Sequence, residues 1–193
     1  MDLELRGKVA LVTGSSRGIG LATAKAFAAE RCRIMLSARS TEQLRETETA
    51  LRATGVEVAA HAADVGSPDD AARLIEATVA TYGGIDILVN NVGGSRNAKV
   101  WEMPVADFDF VLRLNLRSTF LCTRAAAVHM MKRRQGRIIC MSSGAREGTP
   151  WTLLSGRRRL LGRQGRRSRV HSRRGSGARR VQHHGQCHRT GTD

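Results

Sequence analysis

The chain has 193 residues, of which 41% are hydrophobic and 25% are charged, and its formal net charge is +15. This length suits a single domain, and the apolar content can form a core, so a wholly disordered chain and a collagen-like fibre are excluded. No apolar stretch approaches the ~20 residues that span a bilayer. The start, Met1-Asp2-Leu3-Glu4, also lacks the basic region of a signal peptide. We therefore expect no membrane partner.

The positive charge is unevenly distributed along the chain. Residues 1–151 contain 20 Lys/Arg and 16 Asp/Glu, a net of +4, whereas residues 152–193 contain 12 arginines and one acid, a net of +11. Every aromatic residue lies in the first segment, and Trp151 is the last of them. The sequence thus predicts a nucleotide-binding domain over 1–151, as argued below from its motifs, and a disordered arginine-rich tail over 152–193, which is too poor in apolar residues to form a core.

Residues 1–151 alternate between short apolar segments and longer amphipathic ones. The apolar segments predict strands at 9–12, 33–37, 56–60, 85–89 and 137–141. The segments between them predict helices at 21–31, 41–54, 68–82 and 105–133. Alternation of this kind predicts an α/β fold, a Rossmann-like doubly wound parallel sheet in the strand order 3-2-1-4-5 with right-handed crossovers.

A glycine-rich turn, Thr13-Gly14-Ser15-Ser16-Arg17-Gly18-Ile19-Gly20, follows the first predicted strand. Gly14 permits a tight turn, while Gly18 and Gly20 let the backbone approach a pyrophosphate and let the next helix pack against the strand. That helix directs its N–H groups and the positive end of its dipole at the phosphate. The turn therefore predicts a dinucleotide-binding site.

Residues 6 to about 150 resemble the short-chain dehydrogenase/reductase family. The glycine spacing Thr-Gly-x-x-x-Gly-x-Gly is that family's form, and four further elements follow in the family's order. They are Asp64-Val65 after the third strand, Asn90-Asn91-Val92-Gly93 after the fourth, Leu114-Asn115-Leu116 in the long helix and Met141-Ser142-Ser143 at the fifth strand. Within the family, the resemblance is to bacterial ketoacyl-carrier-protein-reductase-like members.

The resemblance implies hydride transfer between a nicotinamide cofactor and a small-molecule carbonyl or alcohol. It implies that Ser143 polarises the carbonyl oxygen, that Asn115 helps to hold a proton-relay water and that Asp64 meets the adenine. The cofactor contacts that it implies are Thr13, Gly14, Ser16, Arg17, Gly18, Ile19, Gly20, Arg39, Asp64, Val65, Asn91 and Gly93.

The end of the second strand favours NADP over NAD. Enzymes that use NAD place an acid there to accept from the ribose hydroxyls. This chain instead has Ser37-Ala38-Arg39, and the glycine turn adds Arg17. Guanidinium groups suit a 2′-phosphate because they donate two parallel hydrogen bonds.

A tyrosine and a lysine that the family uses are missing. The family carries Tyr-x-x-x-Lys on the helix after the fifth strand, where the spacing places both side chains on one face. The tyrosine gives its proton to the carbonyl oxygen, and the lysine lowers the pKa of the tyrosine. Here the only tyrosine is Tyr82, in the third helix, and no lysine follows Lys132. We therefore expect weak or absent activity and a fold that is incomplete at the C-terminus.

A shift of reading frame accounts for the tail. Residues 159–165 can be reverse-translated with arginine as CGN, leucine as CTN, glycine as GGN and glutamine as CAR. Read one base later, these codons permit Ala-Tyr-Ser-Ala-Ala-Lys, which contains Tyr-x-x-x-Lys. The same frame at 185–192 permits Val-Asn-Ala-Ile-Ala-Pro-Gly, which resembles another element of the family. The lysine and valine slots lie 21 positions apart, close to the family's separation. The alternative is a genuine basic tail that binds nucleic acid through its phosphates.

Smaller features complete the expectations. The four cysteines, Cys32, Cys122, Cys140 and Cys187, have no CxxC spacing, which indicates reduced thiols and a cytoplasmic location. No metal site is expected, because the histidines of the tail have no scaffold. The family is usually homo-oligomeric, but we expect this chain not to assemble, because its fifth strand and its long helix lose their neighbours. We also expect no specific nucleic-acid partner.

Overall fold

The computed structural model of the chain describes residues 3–142. Within them lie five strands, β1 to β5, at Val9–Thr13, Arg33–Ala38, Val58–Ala62, Ile87–Asn90 and Arg137–Cys140. The helices α1 to α5 lie at Gly18–Ala29, Thr41–Arg52, Pro68–Tyr82, Val105–Leu112 and Ser118–Lys132, and a π-helical segment, Arg113–Arg117, joins α4 to α5. Ser143 and the predicted tail over 152–193 lie outside the described residues.

The five strands form one parallel sheet in the order β3-β2-β1-β4-β5, which confirms the predicted topology. β1 occupies the centre, where Ala10 pairs with Ile34 of β2 on one side and with Ile87 of β4 on the other. Central parallel strands are covered on both faces, so their sequences are continuously apolar. Val9, Ala10, Leu11 and Val12 are accordingly fully buried.

The side chains of β1 divide the core into two layers because successive residues of a strand point to opposite faces. Val9 and Leu11 pack with residues of α3 and α5 on one face. Ala10 and Val12 pack with residues of α1 and α2 on the other. Helices therefore cover both faces of the sheet, and the predicted doubly wound architecture is confirmed.

Several predicted boundaries differ from the structure. The third strand occupies Val58–Ala62 instead of 56–60, because its pairing with β2 begins at Val58 and ends at Ala62. The first helix begins at Gly18, three residues before the predicted start at residue 21, because the last residues of the glycine turn already form the first helical turn. The fourth strand likewise pairs only from Ile87. The residues at which two strands begin and end their pairing are set by the tertiary structure, so the apolar pattern of one segment does not predict them.

The helix predicted over 105–133 is divided by the π-helical segment. Ser118 Oγ donates to the carbonyl oxygen of Leu114 at 2.6 Å, and Thr119 Oγ1 donates to that of Asn115 at 2.9 Å. Hydroxyls that bond to the carbonyl four residues earlier distort the helical ladder, and single π turns are frequent at functional sites. The distortion falls around Asn115, one of the residues singled out by the sequence.

Tyr82 lies at the opposite edge of the sheet from the glycine turn. It is the last residue of α3, and its hydroxyl donates to the carbonyl oxygen of Ile34, near the start of β2, at 2.9 Å. Burial raises the pKa of Tyr82 to about 12. A buried, hydrogen-bonded phenol at the amino ends of the strands is a structural residue and cannot replace the missing proton donor.

Apolar side chains are exposed on β5 and on the helices beside it. All four residues of β5 are exposed, and among the described residues this strand pairs with β4 alone. The long helical region was expected to lose its neighbours, and it exposes a stripe of apolar side chains, which are Val105, Phe108, Leu112, Leu116, Phe120, Val128 and Met131. No helix within residues 3–142 combines the length and apolarity needed to cross a bilayer.

We expect Tyr82→Phe to lower the free energy of unfolding by about 1–2 kcal/mol, because it removes one donor from a buried carbonyl. Urea unfolding followed by circular dichroism measures the change. Ionisation of Tyr82 opposes folding, so wild-type stability falls as the pH rises from about 10, the unfolded pKa, toward 12. The difference between the two proteins should therefore shrink in that range.

Thr81→Ala is the matched control, since the Thr81 hydroxyl is exposed and bonds only within its own helix. Equal unfolding free energies for wild type and Tyr82→Phe would show that the buried hydrogen bond does not stabilise the fold.

Candidate cofactor site

The candidate site lies where the carboxyl ends of the strands meet. In an open parallel sheet, ligands bind in the crevice outside these ends, at the point where the strand order reverses. That point lies between β1 and β4. The chain continues from β1 to β2 on one side of this point and from β4 to β5 on the other. The glycine turn follows β1, and the Asn91–Val92–Gly93 turn follows β4. The two turns that the sequence singled out are therefore neighbours.

The glycine turn has the geometry that a pyrophosphate needs. Gly14 and Gly18 have φ values of +65° and +57°, a left-handed conformation that favours glycine. A Cβ on Gly20 would collide with the carbonyl oxygen of Gly14 and with the side-chain amide of Asn91. The absence of side chains thus permits α1 to start tight against the end of β1.

The N-terminus of α1 has no side-chain cap. Arg17 occupies the capping position with extended backbone and makes no capping hydrogen bond, whereas Ser40 caps α2 by accepting from the Gln43 N–H. The first N–H groups of a helix have no partner within the helix, and together with the dipole they bind anions. An uncapped N-terminus beside a glycine turn fits a phosphate group.

Thr13 and Asn91 join the two turns directly. Thr13 Oγ1 donates to the carbonyl oxygen of Val89 at 3.1 Å and accepts from the backbone N–H groups of Asn91 and Val92 at 3.0 and 3.3 Å. Asn91 Nδ2 donates to the carbonyl oxygens of Thr13 and Gly14 at 3.0 and 3.2 Å. Both residues are predicted cofactor contacts, and in the structure these side-chain atoms bond to the protein and shape the site.

Ser16 links the glycine turn to α2. Its hydroxyl lies 3.4 Å from Gln43 Oε1, and its carbonyl oxygen lies 3.5 Å from Thr47 Oγ1. Ile19, the one large apolar residue of the turn, is 64% exposed at the start of α1. An exposed isoleucine beside the crevice offers an apolar surface to a bound cofactor.

Asn115 connects the π-helical segment to the turn after β4. Its Oδ1 accepts from the Gly94 N–H at 3.1 Å, and its Nδ2 donates to the carbonyl oxygens of Gly94 and Val111, both at 2.8 Å. A Cβ on Gly93 would lie 2.8 Å from Asn115 Oδ1, so any larger residue there would displace the Asn115 amide. The side-chain amide of Asn115 therefore fixes the position of the π-helical segment at the crevice.

Asp64 and Val65 follow β3 and differ in exposure. Val65 is 4% exposed and belongs to the core layer under α3, so only its backbone can face a ligand. Asp64 Oδ1 accepts from the Gly66 N–H at 3.0 Å, and its Oδ2 forms an ion pair with Arg113 Nη2 at 2.5 Å. The backbone N–H of Asp64 donates to Asp70 Oδ2 and holds the pKa of Asp70 below its usual value.

Two arginines lie at the crevice without an acidic partner. Arg17 and Arg39 are both exposed, and neither belongs to any ion pair formed within residues 3–142. Between them in sequence, Ser37 is 1% exposed, and its Oγ finds no hydrogen-bond partner in the described part of the chain. Unpaired guanidinium groups and an unsatisfied hydroxyl at the end of β2 are typical of a site that receives a polar ligand.

The described residues lack the proton donor that the family requires. Tyr82 and Lys132 both terminate helices that run antiparallel to the strands, which puts them at the amino edge of the sheet, away from the crevice. The chain's other expected catalytic residue, Ser143, is outside the described part, one residue past its end.

Comparison with known proteins agrees with this geometry. The family model described as short chain dehydrogenase matches residues 8–153. The chain belongs to the short-chain dehydrogenase family. Among curated proteins, it is 40% identical over 142 residues to a 3-oxoacyl-[acyl-carrier-protein] reductase of Synechocystis, covering 73% of this chain and 58% of the relative. It is 36% identical over 143 residues to a (2S)-[(R)-hydroxy(phenyl)methyl]succinyl-CoA dehydrogenase subunit of Thauera aromatica, covering 74% and 58%.

Solved structures of the family superimpose on the chain. L-Sorbose reductase from Gluconobacter frateurii, complexed with NADPH and L-sorbose, is 36% identical with a TM-score of 0.75, covering 78% of this chain and 58% of the reductase. NAD⁺-bound xylitol dehydrogenase is 35% identical with a TM-score of 0.73, covering 76% and 57%. These two solved proteins each bind a nicotinamide dinucleotide. The chain spans little more than half the length of the relatives named here.

We expect Gly20→Ala to reduce dinucleotide binding at least tenfold, because the new methyl group must displace the Gly14 carbonyl or the Asn91 amide from the turn. Titration of the protein with NADPH, followed by nicotinamide fluorescence, measures the dissociation constant. Ala22→Ser, at an exposed position of the same helix, should bind as wild type does. Unchanged affinity in Gly20→Ala would place the phosphates elsewhere.

Proposed function

We propose that the chain is an NADP-binding oxidoreductase of the short-chain dehydrogenase type whose catalytic apparatus is interrupted. Its ancestral reaction is hydride transfer between NADP(H) and a carbonyl/alcohol pair on a small molecule. The observation that carries the proposal is the uncapped glycine turn at α1 with the unpaired Arg17 and Arg39 beside the end of β2. This arrangement provides N–H donors for a pyrophosphate and guanidinium groups for a 2′-phosphate.

The choice of NADP over NAD depends on charge at the end of β2. The last residues of this strand and the arginine directly after it, Ser37-Ala38-Arg39, include no acid, so the ribose hydroxyls of NAD would lack their usual acceptor there. Two exposed arginines would instead neutralise the dianionic 2′-phosphate. The solved relatives include one complex with NADPH and one with NAD⁺, so family membership leaves the preference to these local residues.

The cofactor's nicotinamide supplies the hydride, and the residues of this chain determine the rest. The N-terminus of α1 binds and orients the phosphates, and the Thr13–Asn91 hydrogen bonds keep the turn in the shape that this binding needs. Asn115 holds the π-helical segment against the crevice. Ser143 follows β5, where its hydroxyl would polarise the carbonyl oxygen. No tyrosine is available to protonate that oxygen, so the chain should be inactive or nearly so.

We infer that residues from about 152 onward are translated out of frame. Three observations support this: the end of the family match, the change of composition and the motifs that one alternative frame permits. The family match ends at residue 153, next to the composition boundary after Trp151. One alternative frame permits both Tyr-x-x-x-Lys and Val-Asn-x-x-x-Pro-Gly, and the two lie at the family's separation. Domain organisation then follows: a nucleotide-binding domain over 1–151 and an adventitious tail over 152–193.

Location and assembly follow from side chains of the domain. Cys32 and Cys122 are buried free thiols, and burial raises the pKa of both, that of Cys122 to about 12. Unpaired, protonated thiols suit a reducing cytoplasm. The apolar residues exposed on β5 and on α4 and α5 would favour aggregation over ordered assembly. We therefore propose a cytoplasmic chain that does not form the family's oligomers.

A second candidate function rests on the tail's charge of +11. A genuine basic tail would bind nucleic acid without sequence preference, and its affinity would fall steeply with salt. Sequencing the gene separates the two proposals, because only the frame-shift proposal requires a single-base change near codon 152 to open a reading frame of the relatives' length.

We expect Arg17→Gln and Arg39→Gln each to weaken NADPH binding about tenfold while NADH binding changes less than twofold, because a charge-assisted hydrogen bond contributes about 1.5–3 kcal/mol. Fluorescence titration with the two cofactors gives the ratio. Arg45→Gln, on the exposed side of α2, is the charge-matched control. Parallel losses for NADPH and NADH would contradict 2′-phosphate recognition.

We expect the frame-restored gene to yield a dehydrogenase at least about 10²–10⁴-fold more active than the 193-residue chain, the usual contribution of one acid–base group. NADPH oxidation with a panel of β-ketoesters and ketoses measures turnover, and size-exclusion chromatography compares assembly. A 193-residue chain that turns over substrate as fast as the restored protein, or that forms a soluble, monodisperse oligomer and binds NADPH as tightly as the restored protein does, would refute the interrupted-enzyme proposal.

A further inference from the structure

An ion pair connects the end of β3 to the π-helical segment. Arg113 Nη2 lies 2.5 Å from Asp64 Oδ2, and the two residues are 49 positions apart in the chain. The opposite carboxylate oxygen, Oδ1, accepts from the Gly66 N–H at 3.0 Å. The carboxylate is therefore held on both sides, and its orientation at the crevice is set by partners from two different elements.

The Arg113 side chain packs closely against the turn after β3. A Cβ on Gly66 would lie 3.0 Å from Arg113 Nε and 3.3 Å from Arg113 Cγ, so a bare glycine lets the side chain lie flat over the turn after β3. The backbone that carries Arg113 is fixed two residues later, where the Asn115 amide bonds to Gly94 and Val111. Arg113 thus reaches Asp64 from an anchored position.

The position of Asp64 indicates what it faces. With a pyrophosphate at α1 beside β1 and a ribose at the end of β2, the base of a dinucleotide continues toward β3, the next strand in the sheet. Asp64 follows β3 directly and is only partly buried. Each carboxylate oxygen keeps a lone pair beyond the bond already described, and the exocyclic amine of adenine is a hydrogen-bond donor.

We propose that Arg113 is a positioning residue for adenine recognition: it orients the Asp64 carboxylate so that this group accepts a hydrogen bond from the adenine amine. The proposal rests on the dinucleotide site proposed above, in which Asp64 is already expected to meet the adenine, and it adds the role of Arg113. The pair is exposed on both sides, with 52% of the Arg113 side chain and 39% of the Asp64 side chain accessible. Its effect should therefore be modest and should depend on the amine.

The test compares Arg113→Met with wild type in the full 193-residue chain, using NADPH and its hypoxanthine analogue, in which a carbonyl replaces the adenine amine. Methionine keeps an apolar stem over Gly66 but cannot hold the carboxylate. We expect Arg113→Met to weaken NADPH binding about two- to fivefold, the range of exposed ion pairs, and to leave the analogue unaffected. Arg113→Lys should recover part of the loss.

Two controls separate positioning from general damage. Arg117→Met removes an exposed arginine one turn later, which has no acidic partner within residues 3–142, and it should not change either affinity. In Asp64→Asn, the additional Arg113→Met substitution should have no further effect on NADPH, because the group that Arg113 orients is already altered.

The outcomes distinguish this inference from the proposed function. If wild type binds neither dinucleotide, the proposed function fails and the inference fails with it. If wild type binds NADPH, but Arg113→Met binds it equally well, binds it more tightly, or loses NADPH and the analogue to the same extent, the cofactor site stands and the role of Arg113 is refuted.

Discussion

The hydrogen bonds between Thr13 and the turn after β4 hold the two sides of the crevice together. Thr13 is 1% exposed, and its hydroxyl bonds to the carbonyl oxygen of Val89 and to the backbone N–H groups of Asn91 and Val92, which lie beyond the end of β4. Asn91 returns two bonds to the carbonyl oxygens of Thr13 and Gly14. Since an unmade bond leaves a buried polar group costing about 1–3 kcal/mol, the glycine turn and the Asn91 turn keep one relative position.

The rest of the site is arranged around that fixed point. Gly20 allows α1 to begin against the joined turns, and its uncapped N-terminus then points into the crevice. On the other side, Asn115 attaches the π-helical segment to Gly94, and Arg113 carries the same segment across to Asp64. Three strands of the sheet are thus connected at their carboxyl ends by polar side chains, while their middles are held by the backbone hydrogen bonds of the sheet and by apolar packing.

The amino edge of the sheet is secured by a different set of contacts. The buried Asp86 accepts from the Val9 N–H at 2.9 Å and lies 3.2 Å from Arg133 Nη2, which ties the entry of β4 to the end of α5. Tyr82 and Arg33 close the same edge, where the guanidinium of Arg33 lies 5.7 Å from the phenol ring. The single tyrosine of the chain is therefore committed to stability, at the end of the sheet where no chemistry takes place.

The order of the strands and the location of the crevice could be predicted from the sequence because both depend on local patterns. Apolar segments such as Val9–Thr13 alternate with amphipathic ones, and the glycine spacing after β1 specifies a turn that few other residues could form. The missing Tyr-x-x-x-Lys pair is likewise a property of the sequence alone. The bounds of α3 were also predicted correctly, because Pro68 is a local signal for the start of a helix and Gly83 is a local signal for its end.

Only the tertiary structure decided how the singled-out side chains are used. Thr13 and Asn91 are predicted to contact the cofactor and Asn115 to hold a proton-relay water, and the structure adds that their polar side-chain atoms bond to other turns of the chain. Arg113 gave no signal of its own, because an arginine on a helix is an ordinary surface residue until the fold brings it to Asp64. Spacing along a chain can encode a turn or a helix face. The partners of hydrogen bonds such as Asn115–Gly94, Arg113–Asp64 and Asn91–Thr13, which lie 21, 49 and 78 residues apart, depend on strand register and helix packing, and these arise only when the whole sheet is assembled.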